Sequence, residues 1–425
     1  MERQDDELIV GLNSRRPTNS GRQEAEGPFP TLPQELVVDI LSRLPVKSLC
    51  RFRCVSKSWL FLISSTRFAK THLDLGLQNK EVESSRRRLI ISSHNLYSVE
   101  YRSVCSCSDD SSDIRVVELD YPLKYKPYGW HSSLGYNEDE KFYFRLSEDE
   151  DDNPVMVKVN ATSSMSLRNW VDVVGSCNGI VCIAPDENML FLFNPSTGES
   201  KRIAEEHNSG LEAADGICSY GFGYVSTSDD YKVVRIDDGS IVSIYSLRTD
   251  SWRRLGNFPY DNSVFESGLL LNGFVHWALN SRECENPKHL VVCFDLEKEM
   301  FQEMLAPDID DTSSDIWMGT LGGKLCALYS RNDMQNDVWI MQEYGVAESW
   351  TMIVISLPFF RMKPLCLTER EKALLMVDGR LFLYDFGIGT YKFLEVHGVP
   401  FGDVYEVDIF VESLISPNHY FEAET

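Results

Sequence analysis

The sequence predicts a multidomain α+β chain, with a small N-terminal helical unit followed by an all-β propeller of about six or seven blades. Three observations predict it. Apolar residues recur at helical spacing between Thr31 and about Leu77. From Leu89 onward the pattern changes to short runs rich in β-branched and aromatic residues, separated by Gly, Asn, Asp and Pro. Within that region an aromatic–turn–aromatic unit recurs every ~40–50 residues, the period of a four-stranded propeller blade.

The elements follow in order. Residues 1–30 mix charge with Gly, Pro, Ser and Asn and contain few apolar residues, which predicts a disordered tail. Pro33 suits the first turn of a helix, and Glu35 complements its positive end. Leu36, Ile40, Leu41 and Leu44 share one face of that helix, and Pro45 stops it. A second helix is predicted from near Lys47, with Leu49, Phe52, Val55, Trp59 and Ile63 at three- and four-residue steps. A unit over 31–77 is too small to be stable on its own, so a partner or the rest of the chain has to cover part of it.

After Arg86-Arg87-Arg88 the β pattern begins, and it defines a second domain over 85–418. The repeat reads "FNPSTGES" from Phe193, "YSLRTDSW" from Tyr245, "FDLEKEMF" from Phe294, "YGVAESW" from Tyr344 and "YDFGIGTY" from Tyr384. Second aromatics close the last four, at Trp252, Phe301, Trp350 and Tyr391. Tight-turn pairs stand at Asn178-Gly179, Asn272-Gly273, Gly322-Gly323 and Asp378-Gly379, where hairpins are expected. A β-sandwich could carry similar hairpins, but near-equal spacing favours radial blades. The stretch before Val171 shows no clean repeat, and "VYEVDIFVESLIS" near the C-terminus offers a strand to close the ring. Two loops are expected, Cys105 to Asp113 and the acidic "SEDEDDN" at 147–153.

Composition narrows the function. A net charge of -24 argues against a nucleic-acid backbone or an anionic membrane as the main partner. No apolar run approaches the ~18–20 residues of a membrane span, and the charged start "MERQDDELIVGLNSRRP" lacks a secretion signal core. Eleven cysteines without framework spacing suggest free thiols in the cytoplasm, the nucleus or both.

Motifs for chemistry are scarce. Cys105-Ser-Cys107 has no second pair to make a zinc site, and the acidic block lacks spaced calcium ligands. No Gly-rich loop is followed by Lys-Ser or Lys-Thr, and "YGFGYVS" at 220–226 lacks the third glycine of a dinucleotide loop. There is no Gly-x-Ser-x-Gly elbow and no His-Glu-x-x-His. His276 reads as a half-buried strand histidine, and Asp229-Asp230 as a turn. Neither a catalyst nor a cofactor site is predicted, so catalytic and metal residues are expected to be none. A propeller enzyme or lectin, with its site assembled from distant blades, is the competing reading.

Against this background the segment Leu44 to Trp59 stands out, with Lys47, Arg51, Arg53 and Lys57, no acid and several apolar residues. "TLPQELVVDILSRLPVKSLCRFRCVSKSWLFLISSTRFAKTHL", Thr31 to Leu73, resembles an F-box. The similarity runs through Leu32-Pro33, Ile40-Leu41, Leu44-Pro45, Leu49, Arg51, Val55, Lys57 and Trp59. The rest resembles the plant F-box-associated, kelch-like domain through "CNGIVCI", "FNPSTGE", "YGFGYVSTSDDYKVVRI", "NGFVHWAL", "FDLEKEMF", "VWIMQEYGVAESW" and "FVESLISP". Members of that group include immune-regulating and S-locus F-box proteins.

The resemblance implies a non-catalytic substrate receptor of a Skp–cullin–F-box ubiquitin ligase. Its F-box would bind a Skp-type adaptor, which brings a cullin and a RING subunit, while the β domain holds a target bound for the proteasome. The adaptor contact would fall on Leu32, Pro33, Ile40, Leu41, Leu44, Pro45, Leu49, Arg51, Val55, Lys57 and Trp59, with Leu44 and Pro45 as its anchors. Ile40, Leu41, Leu49, Val55 and Trp59 would be shared with the internal core. Lys47, Arg51, Arg53 and Lys57 would steer an acidic adaptor surface from the rim. An F-box protein that acts as a scaffold without ligase function is a further alternative.

Overall fold

The structure is a computed structural model. It describes residues 32–93, 95–105, 114–124, 142–148, 154–160, 171–186, 189–204, 218–237, 241–260, 267–279, 290–307, 316–330, 336–355, 357, 359, 361–368, 370–399 and 406–418. The expected N-terminal tail, the loop from 106 to 113 and the centre of the acidic block, 149–153, lie outside the described residues. The chain divides into two compact units, Met1–Leu41 and Ser42–Thr425.

In the first unit, helix α1 (Gln34–Ser42, ending just inside the second) begins as Pro33 predicts. The Pro33 carbonyl accepts the helix's first regular bond from Val37 N at 3.2 Å and also takes the otherwise orphaned Leu36 amide at 3.1 Å.

The second unit opens with four more helices: α2 (Val46–Phe52), α3 (Lys57–Ser64), α4 (Thr66–Gln78) and α5 (Lys80–Arg86). The single helix expected from Lys47 through Ile63 is therefore two. Ser56 stands at an extended backbone position and its hydroxyl accepts from Trp59 N at 3.2 Å, so it starts a new helix instead of continuing the old one. Ser65 caps α4 in the same way through Phe68 N, and Asn79 caps α5 through Glu81 N and Val82 N. Side-chain oxygens at three caps thus cut one apolar run into short helices. Periodicity alone could not show those cuts.

The remainder is a propeller of six four-stranded antiparallel blades. From the inside outward, blade one is Glu406–Val411, Arg87–Ser92, Leu96–Glu100 and Val117–Glu118. Blade two runs from Asp172–Cys177 to Ser200–Arg202, and blade three from Cys218–Val225 to Ser251–Asn257. Blade four runs from Leu269–Leu271 to Met300–Met304, blade five from Ile316–Leu321 to Trp350–Ile355, and blade six from Met362–Leu367 to Thr390–Leu394. Each innermost strand neighbours the next blade, and Met362–Leu367 neighbours Glu406–Val411, which closes the ring. The C-terminal strand closes it as expected, pairing Leu89 with Ile409. Among the described residues before Val171, the strands between Arg87 and Glu118 enter blade one, and Phe142–Glu148 and Pro154–Asn160 pair only with each other, so the described blades number six.

The repeat in the sequence has a simple origin. Tyr245 faces Trp252, Phe294 faces Phe301 and Tyr384 faces Tyr391 across the third and fourth strands of their blades. The rings of the first two pairs lie 5.5 and 4.9 Å apart, close enough to interact directly. Blade five departs from the pattern. A 3-10 turn at Ala347–Ser349 places Tyr344 in the connection, and Trp350 faces Met341 instead. Asn178-Gly179, Asn272-Gly273 and Asp378-Gly379 all have positive φ at both positions, the geometry of a tight hairpin turn.

Candidate functional site

The first unit leaves a row of apolar side chains in solvent. Leu32 is 59% exposed, Leu36 and Ile40 are about as open, and Pro33 is exposed beside them. Leu41, one residue on, is only 1% exposed.

The second unit carries its own set. Val55 is 62% exposed and Phe61 80%, with Leu60 also in solvent. Pro45, Arg51, Lys57 and Lys47 are exposed, while Leu44 and Trp59 are half-buried. Trp59 stands edge-on to Phe52, ring centres 5.5 Å apart, so much of it serves the helical core. Leu49 has no exposed area, so in this state it supports the surface from beneath. Leu36, Leu60 and Phe61 are the residues that sequence reasoning left out of the contact set. Their signal was present in "SWLFLIS", where apolar residues fill more than one helix face and a single buried face cannot absorb them all.

One expected rim charge is elsewhere. Arg53 Nη1 lies 3.5 Å from Glu199 Oε1, in the connection between the third and fourth strands of blade two, so it faces the propeller. Lys70 of α4 pairs in the same way with Asp229 of blade three. These pairs fix α2 and α4 to turns on one end of the propeller.

A buried chain of hydrogen bonds reinforces that attachment. His72 of α4 is wholly buried; its Nε2 lies 2.8 Å from the Leu44 carbonyl and its Nδ1 3.4 Å from Arg86 Nη1. Arg86 can only donate, so Nδ1 accepts and the ring carries its hydrogen on Nε2, which donates to Leu44. Burial and the Arg86 charge push the His72 pKa down to about 4. Arg86 also donates to the His72 carbonyl at 2.8 Å, and its own carbonyl accepts from Glu412 N at 2.8 Å in the last segment of the chain. The turn at Leu44-Pro45 is thereby tied, through α4, to the start and the end of the propeller ring.

The two ends of the propeller differ. In an antiparallel blade the connections alternate between ends. The helices therefore meet the end that carries short turns such as 178–179, 226–229, 247–250 and 272–273. At the other end every innermost strand begins, and the connections 203–217, 258–268, 280–289 and 305–315 depart. Long connections on a rigid scaffold are where recognition residues concentrate.

Charged groups gather at that second end. Arg361 Nη1 donates to Glu406 Oε1 at 2.8 Å, and its guanidinium lies 5.5 Å from the ring centre of Trp317. Lys363 donates to Asp408 at 3.1 Å, and Asp172 lies beside Glu406 and Arg361.

Groups named as possible chemistry are structural. His276 is buried in its strand; its Nδ1 lies 3.1 Å from the Leu269 carbonyl and donates to it, while its Nε2 accepts from Tyr344 Oη at 2.8 Å. Burial lowers its pKa to about 4. Asp229 has positive φ and accepts from Tyr224 Oη at 2.7 Å, and Asp230 accepts from Ser246 and from Arg248 N. Both aspartates shape a turn. Among the described residues no group of His, Cys, Asp and Glu is arranged to hold a metal ion.

Residues 29–71 match the family model of the F-box domain, and residues 137–401, more than half of the chain, match that of the F-box associated beta propeller domain. The chain is similar to F-box/kelch-repeat protein At3g23880 of Arabidopsis thaliana, 28% identical over 402 residues that cover 91% of this chain and 96% of the relative. It is similar to F-box protein CPR1 of the same plant, 27% identical over 425 residues, 91% of this chain and 89% of the relative. A third relative, F-box protein At3g07870, also of Arabidopsis thaliana, is 27% identical over 427 residues, 88% of this chain and 89% of its own length.

Proposed function

Because the chain belongs to the F-box-associated β-propeller family, we propose that it is the target-receiving subunit of a Skp–cullin–F-box ubiquitin ligase. The F-box binds a Skp-type adaptor, and through it a cullin and a RING subunit. The propeller holds a target protein, which is modified and sent to the proteasome. The chain supplies no catalytic residue; its contribution is proximity, holding target lysines near the charged ubiquitin carrier. The compartment is the cytoplasm, the nucleus or both, and an immune-regulating role is one candidate setting.

A single observation supports the reading best. Leu32, Leu36 and Ile40 in the first unit and Val55, Leu60 and Phe61 in the second are large apolar side chains left in water by the chain's own core. Each set, taken by itself, is apolar area of the kind that a partner covers.

The test is retention of a Skp-type adaptor by the full chain. Phe61→Glu alters a side chain the fold does not need, so loss of the adaptor reports the interface. Leu44→Arg with Pro45→Ala is expected to abolish retention as well. An unpaired charge in a desolvated contact costs about 2–5 kcal/mol, enough to dissociate a micromolar complex. Undiminished retention by both variants would refute the interface. Target half-life then separates a ligase receptor from a scaffold: only the receptor shortens it in a proteasome-dependent way.

A further inference from the structure

Four blades contribute to the charged group at the propeller end away from the helices. Asp172 is the first residue of blade two's innermost strand and Glu406 the first of blade one's. Arg361 directly precedes the innermost strand of blade six, and Trp317 is the second residue of that of blade five. All six innermost strands begin at this end, so these four residues, from the consecutive blades five, six, one and two, line one side of the mouth of the ring.

Among the described residues their charges do not balance. Arg361 is the cation that reaches this group, and Glu406 already occupies it at 2.8 Å. No described residue forms an ion pair or hydrogen bond with the Asp172 carboxylate. Asp172 is exposed to solvent, yet desolvation by its surroundings, followed by the nearby Glu406 charge, raises its pKa to about 6, with Arg361 opposing. The Trp317 ring supplies an apolar, π-rich wall, with Arg361 against it.

We propose that this mouth, built from Asp172, Glu406, Arg361 and Trp317, is the recognition point for the target, and that a basic side chain of the target enters it. The inference rests on the reading of the propeller as the target-holding domain. The partner is a protein segment that presents a lysine or arginine. Its cation supplies the charge missing beside Asp172, and its methylene stem packs on the aromatic wall. Arg361, bound to Glu406, keeps the mouth from collapsing on itself and repels a second cation next to the first.

The test pans a phage-displayed library of random peptides, each with one fixed central residue (Lys, Arg, Glu or Leu), on the full-length protein. Lysine and arginine peptides are expected to be enriched about tenfold over leucine peptides, the effect of one charge pair in a partly desolvated site. Asp172→Asn, close to isosteric and at an exposed position, is expected to remove that enrichment, and Asp172→Lys to turn it toward glutamate. Raising salt from 50 to 300 mM is expected to reduce it, because screening shortens the reach of the charge. Equal recovery of the four classes, a preference for glutamate or leucine, or lysine enrichment unchanged in Asp172→Asn would each overturn the proposal. Adaptor retention by the same preparations is read separately. If it persists while the mouth shows no preference, the mouth falls and the receptor reading stands. If adaptor is not retained, the receptor reading falls.

Discussion

His72 has no room for a second proton: Nδ1 accepts from Arg86 and Nε2 donates to the Leu44 carbonyl. Its pKa of about 4 lies below the ordinary histidine value, as does that of His276. The unfolded chain therefore binds protons that the folded chain refuses as pH falls from about 6.5 toward 4, and stability is lost across that window. Each histidine is expected to contribute about 2 kcal/mol of that loss by pH 5. Urea unfolding at pH 7 and pH 5 checks it: the drop for His72→Gln should be smaller than for the parent chain, and equal drops would remove His72 from the account. Gly76 belongs to the same cluster, since a Cβ there would fall 2.3 Å from Arg86 Nη1. Gly76→Ala, normally favourable in a helix, is expected to destabilise by about 1–3 kcal/mol, because the displaced guanidinium loses its buried acceptors. An unchanged melting temperature would contradict that. None of this was legible in sequence. His72, Gly76 and Arg86 sit in α4 and at the end of α5, and only the folded turn at Leu44 shows what they hold.

At the scale of elements, legibility followed locality. Turn chemistry is local, so Asn178-Gly179 and its counterparts announced their hairpins, and the aromatic pairs marked where third strands turn into fourth. The break between α2 and α3 was obscured because Ser56 sits inside a continuous helical period and acts through its cap, not through hydropathy. Phe61 and Leu60 were passed over for a related reason: periodicity identifies the face a helix buries and is silent about a second apolar face. The paired aromatics do not carry equal weight. Trp350 is buried between blades four and five, and its Nε1 donates to the Leu305 carbonyl at 3.0 Å. Trp252 is half-buried. Trp350→Ala is expected to cost about 3–5 kcal/mol and Trp252→Ala about 1–2 kcal/mol. Denaturant midpoints for the two variants give the ranking, and a reversed order would refute it. Gly179 is constrained twice, by its φ of 84° and by Ser413 Oγ, which would lie 2.2 Å from an added Cβ. Gly179→Ala should therefore loosen the C-terminal segment, detectable as faster amide exchange over 406–415, and unaltered exchange would rule it out.

For the whole molecule, the helices after Leu41 and the propeller form one compact unit. Lys70–Asp229, Arg53–Glu199 and the Arg86 carbonyl to Glu412 bond join them. A chain of residues 85–425 keeps Arg86 but loses His72, and it uncovers the turns that α2 and α4 occupy. It is expected to melt several degrees below a chain of residues 42–425, since about 1–3 kcal/mol of buried hydrogen bonding is lost. Equal melting temperatures would mean that the helices merely rest on the propeller. Blade one was legible in its closing strand but not in its membership. Its inner strand and its neighbour come from opposite ends of the β region, and no window along the chain contains both.

That closure sets an order on folding during synthesis. Until residues 406–411 leave the ribosome, Arg87–Ser92 has an unpaired edge, and Arg86 waits for the amide of Glu412. A chain halted before that point would carry its helices on an open ring with a bare strand, a template for aggregation and an easy mark for proteases. A strand made more than three hundred residues later is therefore the one that secures the edge beside these helices.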